Sequence, residues 1–244
     1  LSAGGTTFTS GQEALIGIQP PAFAHVSASV NINGTCPGDT VTLTAMGSGV
    51  NSTYFWQPST GLSCPTCLVT SAHPSATTVY CITKDSAGFV GNYHLTVNVN
   101  PYPNLQASAN DPYLCTGENT TLNATGATSY TWSPATTLSC TSCQHPVATP
   151  TSTTTYTVVG TSSAGCSISN TVHVNVTAYP NTPVVTQIGN SLSSTTQPGL
   201  SYQWYQNMSL ISGATDSFYA ATASGSYRLK STHGSCSGYS NYLY

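Results

Sequence analysis

Apolar and polar residues alternate along most of this chain with the period of two that is typical of half-buried strands. The clearest runs are residues 41–45, 80–82, 94–99, 156–158 and 172–176, each bounded by clusters of Gly, Pro, Ser or Asn. Apolar residues at the i, i+3, i+4, i+7 spacing of a helix do not persist over three turns in any segment. Since short alternating runs between turn residues indicate strands, the sequence predicts an all-β protein.

One segment of the chain occurs twice, about 76 residues apart. Each copy passes through Cys-x-Gly, Leu-x-Ala, Tyr-x-Trp-x-Pro, Leu-Ser-Cys-x-x-Cys and Thr-Thr-x-Tyr, and ends in Val-Asn-Val. The Trp precedes the late Tyr by 24 residues in both copies. The region after residue 180 repeats Tyr-x-Trp and the late Tyr but lacks the Cys-x-x-Cys loop. A period of this length indicates tandem small domains rather than a solenoid.

The repeats predict three antiparallel sandwich domains in a row, preceded by an extension. The boundaries fall at residues 1–25 for the extension and at 26–100, 101–178 and 179–244 for the domains. The extension belongs to no repeat, but its apolar run at residues 14–18 could form one strand without a hairpin mate. Because the chain begins without Met or a signal sequence, we expect a processed chain or a fragment.

The order of these motifs resembles the immunoglobulin-like, PKD-like repeats of large secreted Bacteroidota cell-surface proteins, among them gliding adhesins. The last unit is similar to the C-terminal immunoglobulin-like domain of such proteins. The resemblance covers roughly residues 27–244 and implies tandem immunoglobulin-like domains at the cell surface, used as spacers, stalks or adhesins. It also implies O-glycosylation at Asp-Ser/Thr followed by an aliphatic residue, a pattern that Thr40 and Ser86 fit.

Six Asn-x-Ser/Thr sequons add candidates for N-glycosylation. They lie at Asn33, Asn51, Asn119, Asn123, Asn175 and Asn207.

Charged residues make up 4% of the chain, against about 25% in an average soluble domain. With three Lys and Arg residues in total, the chain lacks the positive charge that binding to nucleic acid or an anionic membrane requires. Runs of about 18 apolar residues, which a membrane span needs, do not occur. A neutral surface rich in hydroxyl groups promotes self-association, so we expect it to be covered by glycans or built to associate.

Nine cysteines at repeated spacings indicate disulfides formed in an oxidising compartment. We predict local loop disulfides at Cys64–Cys67 and Cys140–Cys143. Zinc and redox roles are the alternatives, but the two pairs lie too far apart for one zinc site and lack a βαβ context.

The remaining cysteines predict one disulfide within each of the first two domains. Cys115–Cys166 would tie the start of the second domain to its late hairpin, and Cys36–Cys81 is the matching choice in the first. Cys236 is left unpaired, either as a buried thiol or for a bond between molecules.

The repeated aromatic residues predict the centres of the domain cores. A Trp at this position is the usual core residue of an immunoglobulin-like sandwich, although exposed aromatic residues also form sugar-binding platforms. The predicted core aromatic residues are Trp56, Trp132, Trp204, Tyr80, Tyr156 and Tyr227.

Catalytic motifs are missing, the acids are isolated in sequence, and one or two acids per domain are too few for a tight calcium site. We therefore expect a non-enzymatic protein without catalytic residues, metal ligands or cofactor. The leading hypothesis is a protomer of an extracellular fibre that assembles head to tail with itself, through residues 1–25. The alternatives are an adhesin for glycans or other cells, and a stalk fragment of a larger secreted protein.

Overall fold

The structure is a computed structural model that describes residues 25–47 and 51–244. The predicted extension at residues 1–25 lies outside the described residues except for His25, so its strand and its role in assembly stay predictions. The chain divides between Pro101 and Tyr102 into two compact units.

The first unit is a β-sandwich of two three-stranded antiparallel sheets, ordered β1-β2-β4 and β3-β5-β6. The core lies between the sheets, with Val41, Leu43 and Ala45 from one sheet and Trp56 and Ile82 from the other. The strands are β1 Ser27–Val30, β2 Val41–Met46, β3 Ser52–Gln57, β4 Val69–Ala72, β5 Thr78–Ser86 and β6 Phe89–Val97.

The second unit begins with a sandwich built on the same plan. Its sheets are ordered β7-β9-β11 and β10-β12-β13-β8, and β8 joins its sheet in parallel alignment with β13. The core is formed around Trp132, Tyr156, Leu122 and Val174. The strands are β7 Gln106–Ala109, β8 Tyr113–Cys115, β9 Thr120–Thr125, β10 Ser129–Ser133, β11 Val147–Ala148, β12 Thr154–Thr161 and β13 Ser167–Thr177.

The same unit ends in a third sandwich with a separate and smaller core around Leu192, Trp204, Tyr227 and Leu229. Its sheets are ordered β14-β15-β18 and β17-β16-β19-β20. The strands are β14 Val185–Ile188, β15 Ser191–Ser194, β16 Ser201–Gln206, β17 Ser209–Leu210, β18 Phe218–Ala220, β19 Tyr227–His233 and β20 Cys236–Tyr239. The prediction of an all-β array of immunoglobulin-like sandwiches with disulfides is confirmed.

The sequence alternation decides which residues of each strand face the core. In β2 and β9 every second residue is buried, and the Thr and Asn residues between them are less buried and lie on the outer face. Gly126 allows two backbone segments to lie close together. Its φ is +90°, and a Cβ at this position would overlap the carbonyl oxygen of Asn104. Any side chain at this turn would therefore be both strained and in collision.

A buried Trp lies at the centre of each core and makes the same hydrogen bond in all three domains. The indole Nε1–H of Trp56 donates to the carbonyl oxygen of Cys67 at 3.0 Å, and that of Trp132 to Cys143 at 3.1 Å. In the third domain Trp204 donates to the carbonyl of Asp216 at 2.9 Å. A buried indole requires such a partner, so the loop after each Trp strand has to cross the end of the core.

We expect Trp132→Ala to lower the free energy of unfolding of the second domain by about 3–5 kcal/mol, as other large buried aromatic residues do. Thr131→Ala, one residue earlier on the outer face of β10, is the matched control and should change it little. Urea denaturation followed by circular dichroism measures both variants. An unchanged midpoint for Trp132→Ala together with a loss of sugar binding would identify the residue as a ligand platform.

Candidate functional sites: a disulfide clamp and an aromatic–basic face

The two Cys-x-x-Cys loops are closed disulfides in the structure. The Cα atoms of Cys64 and Cys67 are 5.4 Å apart, and those of Cys140 and Cys143 are 6.0 Å apart. In each loop the second Cys supplies the carbonyl that accepts the indole hydrogen bond of the core Trp. The disulfide therefore holds this acceptor over the core, which gives the repeated spacing a structural purpose.

Cys115 forms a disulfide with Cys236, so the prediction of a Cys115–Cys166 bond and of an unpaired Cys236 is wrong. The Cα atoms of the bonded pair are 5.6 Å apart, and the residues are separated by 121 positions in sequence. Both residues are buried, and the sulfur of Cys236 lies 3.5 Å from the carbonyl oxygen of Thr177. The bond joins β8 of the second domain to β20 of the third, and we call it the disulfide clamp.

The predicted Cys36–Cys81 bond is also wrong, because Cys81 is a free thiol. Its neighbours Tyr80 and Ile82 are buried in the core, so the alternation of β5 turns Cys81 to the outer face, opposite His94 of β6. The period-two alternation of residues 80–82 in the sequence was the signal against this pairing. Cys36 and Cys166 are each disulfide-bonded.

Hydrogen bonds hold the linker between the second and third domains close to the disulfide clamp. The hydroxyl of Tyr179 donates to Glu118 Oε1 at 3.1 Å, and the backbone N–H of Cys115 donates to Glu118 Oε2 at 2.7 Å. The hydrogen bond to the Glu118 carboxylate raises the pKa of Tyr179, with smaller contributions from desolvation and from the charge of Glu118. One carboxylate therefore contacts both the linker and the first cysteine of the clamp.

The outer face of the β17-β16-β19-β20 sheet carries a cluster of aromatic and basic side chains, the aromatic–basic face. The guanidinium carbon of Arg228 lies 4.2 Å from the ring centre of Tyr239, 5.3 Å from that of Tyr242 and 5.6 Å from that of Tyr205. Lys230, two residues along β19, places its Nζ 5.9 Å from the Tyr239 ring. The sequence reasoning missed this cluster, although the alternation of residues 227–230 places both cations on the outer face.

The aromatic–basic face is particular to the third domain. Alignment on the core Trp and the late Tyr makes Ser133 and Thr157 of the second domain the counterparts of Tyr205 and Arg228. Ser133 and Thr157 are likewise paired across neighbouring strands. The second domain therefore presents small hydroxyl side chains where the third presents a ring and a guanidinium.

The candidate glycosylation residues differ in their exposure. Ser86 is buried and accepts a hydrogen bond from the hydroxyl of Ser52 at 3.2 Å, so its prediction as a surface glycosylation site is wrong. Asn123 and Asn175 are half-buried, and the Asn123 amide donates to Asn110 Oδ1 at 2.8 Å. The exposed candidates are Thr40, Asn33, Asn51, Asn119 and Asn207.

Side chains that could bind a metal do not converge in the part of the chain that the structure describes. Groups of three or more His, Cys, Asp or Glu side chains placed to hold a metal ion do not occur there. Two clefts of the third domain, one lined by Asn190 and Tyr244 and the other by Thr182 and Tyr242, contain no acid, histidine or cysteine. Across the same residues no helix is long and apolar enough to cross a bilayer.

Neither a protein-family model nor a curated protein sequence matches this chain. Among solved structures, murine CEACAM1b is 12% identical over 57% of this chain and 97% of its own, with a TM-score of 0.39. Extracellular domains 3–5 of Drosophila OTK are 13% identical over 85% and 92%, with a TM-score of 0.39. Three N-terminal domains of the bacteriophage RB49 outer capsid protein Hoc are 16% identical over 89% and 97%, with a TM-score of 0.40. These values are too low to support an argument about function, which has to come from the residues themselves.

We expect the disulfide clamp to stabilise the second unit more than the loop disulfide does. Closing a long loop restricts the unfolded chain more than closing a short one, by about 5 kcal/mol for Cys115–Cys236 against about 2 kcal/mol for Cys140–Cys143. Urea unfolding of the two double Cys→Ser variants measures the difference, and Cys81→Ser is the control. A larger loss for the loop pair than for the clamp would contradict this ranking.

Proposed function

We propose that this chain is an extracellular structural protein, a protomer of a surface fibre whose covalently clamped domains carry tension. The disulfide clamp is the observation that supports this proposal most strongly. A bond between consecutive domains adds nothing to a ligand pocket, but it changes how the chain responds to a pulling force.

A force applied across the second unit takes the shortest covalent path through the chain. A force that enters between residues 102 and 115 and leaves after Cys236 crosses the disulfide, so the backbone between the two cysteines does not carry it. Those residues contain most strands of both sandwiches, and extended they would measure about 400 Å. Against a force applied between these points, the domains are protected from mechanical unfolding for as long as the disulfide is intact, which suits a fibre or a stalk.

The surface chemistry fits an assembly outside the cell. Disulfides persist in oxidising compartments, and a chain with 4% charged residues lacks the repulsion that keeps monomers apart. Contacts between protomers that do not close into a ring generate a filament. With the motif resemblance to Bacteroidota surface repeats, these properties support head-to-tail assembly of a glycosylated surface protein.

The adhesin hypothesis is the second candidate function. The aromatic–basic face is the observation that favours it, because aromatic rings beside a cation on an exposed sheet form a binding surface rather than a core. A fibre subunit and an adhesin are compatible, since the clamped domains can hold such a face away from the cell.

We expect single-molecule stretching to reveal the length protected by the disulfide clamp. Handles attached through non-thiol chemistry at Tyr102 and Tyr244 of the full chain would load the clamp directly. The Cys115→Ser/Cys236→Ser variant should release about 400 Å more contour length than the oxidised wild-type chain. The Cys140→Ser/Cys143→Ser variant is the matched control and should add about 10 Å at most. Equal lengths for the wild type and the clamp variant would contradict the tension-bearing role.

We expect deletion of residues 1–25 to abolish fibre formation and to leave the three sandwiches folded. An orphan strand can join the open sheet edge of a neighbouring molecule through main-chain hydrogen bonds. Negative-stain electron microscopy of concentrated protein shows assembly, and circular dichroism shows folding. Identical fibres from the truncated chain, or a wild-type chain that stays monomeric at high concentration, would count against head-to-tail assembly through this segment.

A further inference from the structure

Arg228 of the aromatic–basic face is a cation without an anionic partner. Its side chain makes no ion pair or hydrogen bond with the described residues, and its Nε atom is buried without an acceptor. The side chain is half-buried, because tyrosine rings surround the guanidinium. These rings fix the position of the guanidinium and leave its hydrogen-bonding capacity unused.

The charges of the whole chain make this position unusual. The three basic residues are Lys84, Arg228 and Lys230, and Lys84 is fully buried. Both basic side chains that reach the surface therefore lie on the aromatic–basic face. In a protein this poor in charge, two adjacent half-buried cations at the surface favour an anionic occupant.

The acids of a second copy of this chain are poor candidates for that occupant. Four of the five acids in the described residues are held by hydrogen bonds from nearby backbone N–H groups. The carboxylates of Asp39, Asp85, Asp111 and Glu118 accept from Cys36, Gly88, Tyr113 and Cys115, respectively. Releasing any of these four would leave a turn without its capping acceptor, which favours an anion carried by a molecule other than a second copy of this chain.

The tyrosines indicate what kind of anionic molecule fits. Tyr239 and Tyr242 are exposed, with 39% and 38% of their surface accessible, and Tyr205 packs edge-on against Tyr239 with ring centres 6.0 Å apart. Such rings offer flat apolar surfaces on which the C–H face of a pyranose can pack. Two cations are too few to neutralise a nucleic acid backbone, but they match a sugar polymer with one carboxylate per unit.

We propose that the aromatic–basic face binds a carboxylated polysaccharide. The planar guanidinium of Arg228 donates two parallel hydrogen bonds to a uronate carboxylate, and Lys230 provides a second positive charge along the strand. Tyr239 and Tyr242 hold the sugar ring beside the carboxylate. This site belongs to the third domain alone and does not depend on fibre assembly.

The proposal can be tested with galacturonate oligosaccharides and their fully methyl-esterified counterparts, using isothermal titration calorimetry on the full chain. We expect the acidic oligosaccharide to bind and the neutral ester to bind at least about tenfold more weakly. Arg228→Gln should abolish binding. Arg228→Lys, which keeps the charge but loses the planar fork, should weaken it about tenfold or more, as should Tyr239→Ala. Thr157→Ala, at the counterpart position of the second domain, is the matched control and should bind normally.

Several results would overturn the proposal. These are the absence of binding to the acidic oligosaccharide, equal binding of the ester, and unchanged affinity of Arg228→Gln. Equal binding of polyglutamate would point to an acidic protein instead, and wild-type self-association that Arg228→Gln abolishes would point to a second copy of this chain. Thermal melts of each variant separate a lost site from a lost fold, and Arg228→Lys keeps the test valid if Arg228→Gln unfolds.

Discussion

The hydrogen bond from a buried indole to a loop carbonyl is the constraint that organises all three domains. Each core is built around one Trp, and a buried N–H without an acceptor would destabilise the domain by about 1–3 kcal/mol. The loop that follows the Trp strand must therefore return over the core and present a carbonyl there. Trp56 and Trp132 meet this requirement through loops that a disulfide closes, and Trp204 meets it through the carbonyl of Asp216 without one. The Cys-x-x-Cys pair is one solution to the constraint rather than an independent feature.

Once the cores are fixed in this way, the outer faces of the sheets are free to vary between domains. The second domain uses that freedom for small hydroxyl side chains such as Ser133 and Thr157, which hydrate well without charge. The third domain places Arg228 among tyrosines instead. The disulfide clamp between Cys115 and Cys236 then joins an unspecialised sandwich to a specialised one. Under the proposed functions, the second domain has a supporting role and the third a binding role.

The sequence predicts those features that depend on local alternation and repetition. The strands, the three core Trp residues and the two loop disulfides follow from spacing alone, because a period of two decides which side chains face inward. Cysteine pairing between domains did not follow, since Cys166 and Cys236 occupy similar positions and sequence distance favours a bond within one domain. The alternation of side chains along β5 was more informative than the motifs. It places Cys81 on the outer face, which argues against the Cys36–Cys81 disulfide. It also places Ser86 in the core, which argues against its glycosylation. The aromatic–basic face escaped notice because its residues come from β16, β19, β20 and the C-terminal segment.

The connectivity of the disulfide clamp also governs how the protein can mature after synthesis. Cys140, Cys143 and Cys166 all lie between the two cysteines of the clamp, and four more cysteines precede Cys115. Seven other thiols therefore compete for Cys115 before Cys236 emerges. An oxidase that joined thiols in their order of appearance would trap Cys115 in a non-native bond, and escape would require thiol–disulfide exchange through a mixed disulfide. Native pairing therefore requires either a disulfide isomerase or a delay in oxidation until the third domain has folded.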